Sequence, residues 1–292
     1  MERFDFTFLR TEQPPFDEVP PVHRHRLMGV DYVRLRGLHG GELFVTRLGW
    51  RGIESVLPRT WFVGDKFCHV GRALAGATGA VYRVPVPHRS GAPMALVVKF
   101  SRAAQDAPVT VLDESLDLDR QESELVAGAE FLSPFAEFGA IHRLRADAGP
   151  AILTKTPLAI YSPPTRYQAW ELGRKPYIAH RMSRELLDSQ AGVPESRKVS
   201  YDWERLYILL YRWIDGIDAE QAERQGLISK DTMVALGREA RRTLRHLGWM
   251  VCDHKPRHVI IRQLPDGGVL RRGGKIVWGL IDYELLLPID PA

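Results

Sequence analysis

Asp253, Lys255 and His258 fall within six residues of one another in Val251-Cys252-Asp253-His254-Lys255-Pro256-Arg257-His258-Val259-Ile260-Ile261. Asp282 follows in Leu280-Ile281-Asp282-Tyr283-Glu284. Pro256 and the β-branched run behind it put the first three on a loop that enters a strand. The turn Asp266-Gly267-Gly268 then sends the chain back through a second strand, Lys275 to Ile281, which Asp282 closes. A hairpin of that kind brings Asp282 beside His258, giving two metal-ligand side chains with Asp253 nearby. Either acid alone reads as a turn or strand-end residue. Together, with Lys255 and His258 between them, they read as a functional site.

Two features upstream bear on the same chemistry. Gly76-Ala77-Thr78-Gly79-Ala80-Val81-Tyr82 is a glycine turn running into a strand. Glycines allow tight turning and close approach of backbone N–H groups to phosphate, although such turns also serve structure alone. Lys99 lies in the apolar run Met94 to Phe100. A lysine there either snorkels from an edge strand or is buried against a carboxylate or a phosphate. The helix expected over Asp117 to Phe131 carries Glu122 and Glu124, either of which would make burial tolerable.

The order of these elements resembles the protein-kinase-like superfamily, in an atypical bacterial-type form, over about residues 61 to 287. The resemblance rests on Gly-x-x-Gly-x-Val-Tyr, a strand lysine, a helix glutamate, Asp-x-Lys-Pro-x-His-Val-Ile-Ile and Ile-Asp-x-x. It implies an α+β, two-lobed fold with a small, mostly β N-lobe and a reduced, mostly helical C-lobe. It also implies ATP with Mg2+ or Mn2+ as cofactors. Gly76, Gly79 and Val81 would cover the nucleotide, Lys99 would hold its α- and β-phosphates, and Glu122, preferred to Glu124, would orient Lys99. Residues around Tyr211 and Trp213 would form a hinge reading adenine through backbone groups. Asp253 would orient or deprotonate the attacking hydroxyl, Lys255 would neutralise the moving phosphoryl group, and His258 and Asp282 would bind metal. Phosphoryl transfer needs mainly such positioning and charge neutralisation.

The sequence departs from the family pattern in four places. Leu74 stands where the first loop glycine is usual, and Val251-Cys252-Asp253 replaces His-Arg-Asp. His258 replaces the second metal ligand, an asparagine, which weakens a magnesium site and tilts it toward manganese or a single metal. Asp282-Tyr283-Glu284 replaces Asp-Phe-Gly, so Glu284 adds a carboxylate near the metal. The Ile-Asp-Tyr-Glu wording is similar to choline and aminoglycoside kinases, and histidine at the asparagine position is similar to lipopolysaccharide sugar kinases. With Ala292 as the last residue, the expected C-lobe lacks an activation segment and the later helices. The reading is an ATP-dependent phosphotransferase acting on an unidentified hydroxyl acceptor: a small molecule, a sugar or lipid, or a protein. The alternative is an inactive nucleotide-binding scaffold, which Leu74, His258 and Glu284 favour and the joint presence of Lys99, Asp253, Lys255 and Asp282 disfavours.

The elements that must place these residues divide the chain into three parts. Residues 1–60, rich in Pro and Arg, read as an N-terminal extension, with short strands between Tyr32 and Trp50. Residues 61–215 read as the N-lobe, with an insertion at about 156–200 that carries Tyr161, Tyr167, Trp170, Arg174 and Lys175 and is the expected seat of acceptor specificity. Residues 216–292 read as the reduced C-lobe. Further expectations are two short strands in Ala136 to Lys155, a helix near Tyr177 to Gln190, a strand Leu206 to Ile214, and helices near Ala219 to Gln225 and Lys230 to Leu247.

Composition narrows the class. With 45% apolar and 26% charged residues in 292, the chain has ample material for a core, and disorder, collagen and coiled coil are excluded. Forty Lys and Arg against 36 Asp and Glu leave +4, spread thinly, which argues against nucleic acid as a partner. The face formed by Arg238, Arg241, Arg242, Arg245 and His246 reads as solvated. Cys68 and Cys252 are too few for a disulfide scaffold, and no apolar run approaches the roughly 20 residues of a membrane span. The Met-Glu-Arg-Phe-Asp start lacks a signal-peptide pattern, so the expected location is cytoplasmic.

Overall fold

The computed structural model describes residues 3–4, 13–74, 79–87, 94–106, 120–149 and 152–289, with the side chains of 120–122 excepted. The fold is α+β. The chain divides into two compact units: residues 1–106, 133–139 and 156–213 in the first, and 107–132, 140–155 and 214–292 in the second.

The first unit is built on an eight-stranded antiparallel sheet. Its spatial order is Arg24–Leu27, Val30–Arg36, Glu42–Thr46, Thr156–Ser162, Ile208–Arg212, Met94–Phe100, Val81–Val86 and Arg72–Ala73. Residues 1–60, read as an extension, thus supply three strands of the sheet, and the segment 156–200, read as an insertion, opens with a strand bonded on both sides. Alternate side chains of a strand take opposite faces. Leu96 and Val98 therefore enter a core with Val33, Leu35, Val45, Leu158 and Leu210, closed by Trp50, Ile53 and Trp61. Gly49, in the helical turn Arg47–Trp50, permits that closure, since a Cβ there would lie 2.1 Å from the Leu158 carbonyl oxygen. Val97, Lys99 and Tyr211 take the other face.

That second face is covered by aromatic rings. Tyr32 and Phe44 on the sheet meet Phe135 edge-on at 5.9 and 5.1 Å, and Phe138 lies 5.1 Å from Tyr211. Phe135 and Phe138 belong to the helix Pro134–Ala148. Two short strands were expected over Ala136 to Lys155; a single helix forms instead through most of it. Ser133 caps its start by accepting from the Ala136 N–H, Pro134 opens it with φ preset, and Gly149 ends it at φ +51°. Phe135, Phe138, Ile141 and Leu144 are buried and spaced three residues apart, which is helical spacing.

The second unit holds a four-stranded sheet in the order Ile217–Asp218, Val259–Ile261, Trp278–Leu280, Leu153–Thr154, the last pair parallel. Gly279 lets Leu153 approach, because a Cβ there would sit 2.3 Å from the Leu153 carbonyl oxygen. The helices Ala219–Arg224 and Lys230–His246 form where expected. Asp218 caps the first by accepting from Gln221 N, and Ser229 caps the second by accepting from Thr232 N. Leu236, Ala240 and Leu244, four residues apart, form the buried stripe of the longer helix, whose arginines stay at least partly exposed. Trp249–Val251 pairs antiparallel with Leu286–Pro288 and brackets the loop that follows. Among the described residues, no helix is long and apolar enough to cross a membrane.

Candidate functional site

In the second unit, the hairpin of Val259–Ile261 and Trp278–Leu280 sets the distance between the two halves of the motif. Val259 pairs with Leu280, and one residue further the Ile281 N–H donates to the His258 carbonyl at 3.1 Å. Asp282 therefore leaves the sheet beside His258. On the other side, a short 3-10 turn, Pro256–His258, is held by the His258 N–H on the Lys255 carbonyl, and the Cys252 N–H bonds the Leu285 carbonyl. The loop is pinned at both ends.

Ligand atoms of Asp253, His258 and Asp282 lie within 4.8 Å of one another. His258 is buried, and its Nδ1 lies 2.9 Å from the Asp253 carbonyl oxygen. A carbonyl only accepts, so Nδ1 carries the proton and Nε2 presents its lone pair toward Asp282 Oδ2, 3.7 Å away. Burial holds the imidazole below its usual range, against the opposing pull of the Asp282 and Asp253 carboxylates. A neutral imidazole with a fixed tautomer is the form that ligates metal. Asp282 Oδ1 accepts from the Glu284 N–H at 3.4 Å, which orients its carboxylate.

Asp253 is held differently. Its two oxygens lie 2.6 and 2.8 Å from the Lys255 ammonium, and both side chains are roughly one-fifth exposed. Lys255 therefore already neutralises Asp253. The set of carboxylate oxygen and imidazole nitrogen fits a divalent cation, and nitrogen suits Mn2+ better than Mg2+. Glu284 is buried and is not one of the three converging residues. Cys252 is buried, and desolvation, with the Asp253 charge, pushes its thiol up to about 12, so it stays protonated and unreactive.

In the first unit, Lys99 is 5% exposed and Glu137 2%. The ammonium lies 2.9 and 3.2 Å from the two carboxylate oxygens of Glu137. The sequence reading sought this partner in Glu122; Glu122 belongs to the helix Arg120–Ala127, and its side chain is outside the described residues. Glu137 went unnoticed because its segment read as strand. Its signal was present: Glu137 is an acid between Phe135 and Phe138 in the apolar first half of the helix.

The remaining expected nucleotide residues distribute as follows. Gly76 lies outside the described residues. Gly79 sits against Arg102, and Val81 pairs across the sheet with Lys99. Tyr211 is fully buried within the sheet ladder, and its phenol donates to Glu137 Oε1 at 2.7 Å. Trp213 donates its backbone N–H to the Ala95 carbonyl at 3.0 Å, and the Arg83 guanidinium lies 4.7 Å over its ring. The contribution visible for Tyr211 is thus through its side chain, to Glu137.

No family model matches the chain, and no curated protein matches it by sequence. Among solved structures it is similar to WaaP in complex with acyl carrier protein, at 15% identity and TM-score 0.34, over 80% of this chain and 71% of that one. It is also similar to the Rio2 kinase in its ADP/Mg2+-phosphoaspartate complex from Chaetomium thermophilum, at 12% identity and TM-score 0.38. That match spans 89% of this chain and 59% of the other.

Proposed function

We propose that the chain is an ATP-dependent phosphotransferase of kinase-like organisation that moves the γ-phosphoryl group to a hydroxyl acceptor. The observation that carries this reading is the loop on which the Asp253–Lys255 ion pair stands beside His258 and Asp282. Such an arrangement supplies a base, a positive charge and a metal-binding pair at one end of a hairpin.

Asp253 takes the proton of the acceptor hydroxyl as its oxygen bonds to the γ-phosphorus and the bond to the β-phosphate oxygen breaks, releasing ADP. Lys255, within hydrogen-bond reach of Asp253, stabilises charge on the transferring oxygens. His258 and Asp282 would hold the divalent cation, which when bound neutralises phosphate charge. Lys99 serves the nucleotide phosphates, as the resemblance implies, with Glu137 in the orienting role.

The test is ADP formation by the purified chain with ATP and either MnCl2 or MgCl2, alongside calorimetric titration of ATP. Metal-dependent turnover is expected, falling about 10²- to 10⁴-fold in Asp253→Ala while ATP affinity is retained. Undiminished turnover in Asp253→Ala overturns the assignment of the base. ATP binding without turnover under either metal supports the scaffold alternative.

A further inference from the structure

Tyr211 is fully buried, and its ring packs against the equally buried Phe138 with centroids 5.1 Å apart. A phenylalanine at 211 would fill the same space. What the hydroxyl adds is a donor, directed at Glu137 Oε1 at 2.7 Å. The same oxygen lies 2.9 Å from the Lys99 ammonium, and Oε2 lies 3.2 Å from it.

The sheet fixes where these groups meet. Val97 stands opposite Tyr211 and Lys99 opposite Leu209, so Lys99 and Tyr211 are diagonal neighbours on one face. Pro157 pairs with Tyr211 from the other side, and the strand is held on both edges. Glu137 reaches this face from the first turn of the helix Pro134–Ala148, where its N–H donates to the Ser133 carbonyl at 2.8 Å.

An ion pair by itself leaves this carboxylate loosely oriented. The last torsion of a glutamate is broad and roughly two-fold. A lysine ammonium has three rotatable donors on a flexible stem and follows a carboxylate that turns. A phenol on a ring locked between packed neighbours does not follow. It gives Oε1 a fixed reference, and the Lys99 ammonium, bonded to that oxygen, is held at one place.

We propose that Tyr211 is a positioning residue for nucleotide phosphate: acting through Glu137, it sets where the Lys99 ammonium stands. The inference rests on the phosphotransferase reading, in which Lys99 serves the phosphates, and gives the Tyr211 side chain a role distinct from a backbone contact to adenine. The experiment is calorimetric titration of the full chain with ATP and, separately, with adenosine, both with MnCl2 present. Tyr211→Phe weakens ATP about three- to tenfold. Adenosine, which offers no phosphate to Lys99, binds as it does to the parent. In a Glu137→Gln background, Tyr211→Phe causes no further loss of ATP affinity, because the carboxylate through which it acts is gone. Equal losses for ATP and adenosine would make Tyr211 a packing residue and overturn the proposal. Undiminished ATP affinity in Tyr211→Phe, or additive losses in the double variant, would overturn it too, while leaving the phosphotransferase reading standing. A parent chain that binds no ATP would overturn both.

Discussion

The Tyr211 hydroxyl and the Lys99 ammonium meet on a single atom, Glu137 Oε1, at 2.7 and 2.9 Å. All three side chains are buried, and they come from two adjacent strands and the helix laid across them. The carboxylate accepts from both donors, so its loss removes a hydrogen bond from each of the other two.

Removing it therefore has the larger cost. Glu137→Ala leaves a lysine charge in the core and is expected to destabilise the chain by about 3–5 kcal/mol. Tyr211→Phe keeps the ion pair and loses one hydrogen bond, for about 1 kcal/mol. The double variant costs less than the sum, because the Tyr211–Glu137 hydrogen bond is already lost once Glu137 is gone. Urea denaturation measures all three. A Glu137→Ala variant as stable as the parent contradicts this account.

Acid sensitivity has a separate origin in the sheet. His25, on the Arg24–Leu27 strand, is half-buried, and burial lowers its pKa from 6.5 to about 4, helped by the charges of Arg34, Arg197, Arg36 and His23. Between these values the unfolded chain binds a proton that the folded chain refuses. Folding stability at this site is thus complete above pH 6.5 and declines as pH falls toward 4. Because the ring is partly solvated, the contribution is on the order of 1 kcal/mol. His25→Gln should flatten that part of the pH–stability curve, measured by denaturation at pH 7 and pH 4.5. An unchanged slope would assign the acid sensitivity to other groups.

The loop geometry was legible because its signals are local. Pro256, the β-branched run after His258 and the Asp266-Gly267-Gly268 turn dictate a hairpin, and a hairpin dictates that Asp282 returns to His258. The helices Pro176–Asp188 and Lys230–His246 were legible for a similar reason, since their apolar residues recur at helical intervals between polar ones. The helix Pro134–Ala148 was not, because its alternating small, apolar and charged residues fit either period in isolation. What decides it is tertiary: Phe135 and Phe138 find Tyr32, Phe44 and Tyr211, each more than seventy residues away in sequence, on one sheet. One mistyped element hid Glu137 as a partner of Lys99. The same non-locality concealed the place of Thr156–Ser162, which pairs back to Glu42–Thr46 across more than a hundred residues.

Metal preference gives the sharpest test of the loop geometry. His258 Nε2 and Asp282 Oδ2 lie 3.7 Å apart, whereas Lys255 occupies both oxygens of Asp253. Asp282→Asn should therefore weaken Mn2+ binding more than Asp253→Asn does. Replacing nitrogen by oxygen in His258→Asn should move the site toward harder ions, narrowing the preference for Mn2+ over Mg2+ by about tenfold. The measurement is Mn2+ binding by electron paramagnetic resonance, with Mg2+ as competitor, on the parent and the three variants. The Nδ1 contact to the Asp253 carbonyl makes the outcome specific: it leaves Nε2 as the nitrogen available to a metal, so His258→Gln, whose longer amide cannot reproduce that contact, should bind both ions poorly. A Mn2+ to Mg2+ ratio that His258→Asn does not change would remove His258 from the ligand set and leave Asp282 as the metal-binding residue.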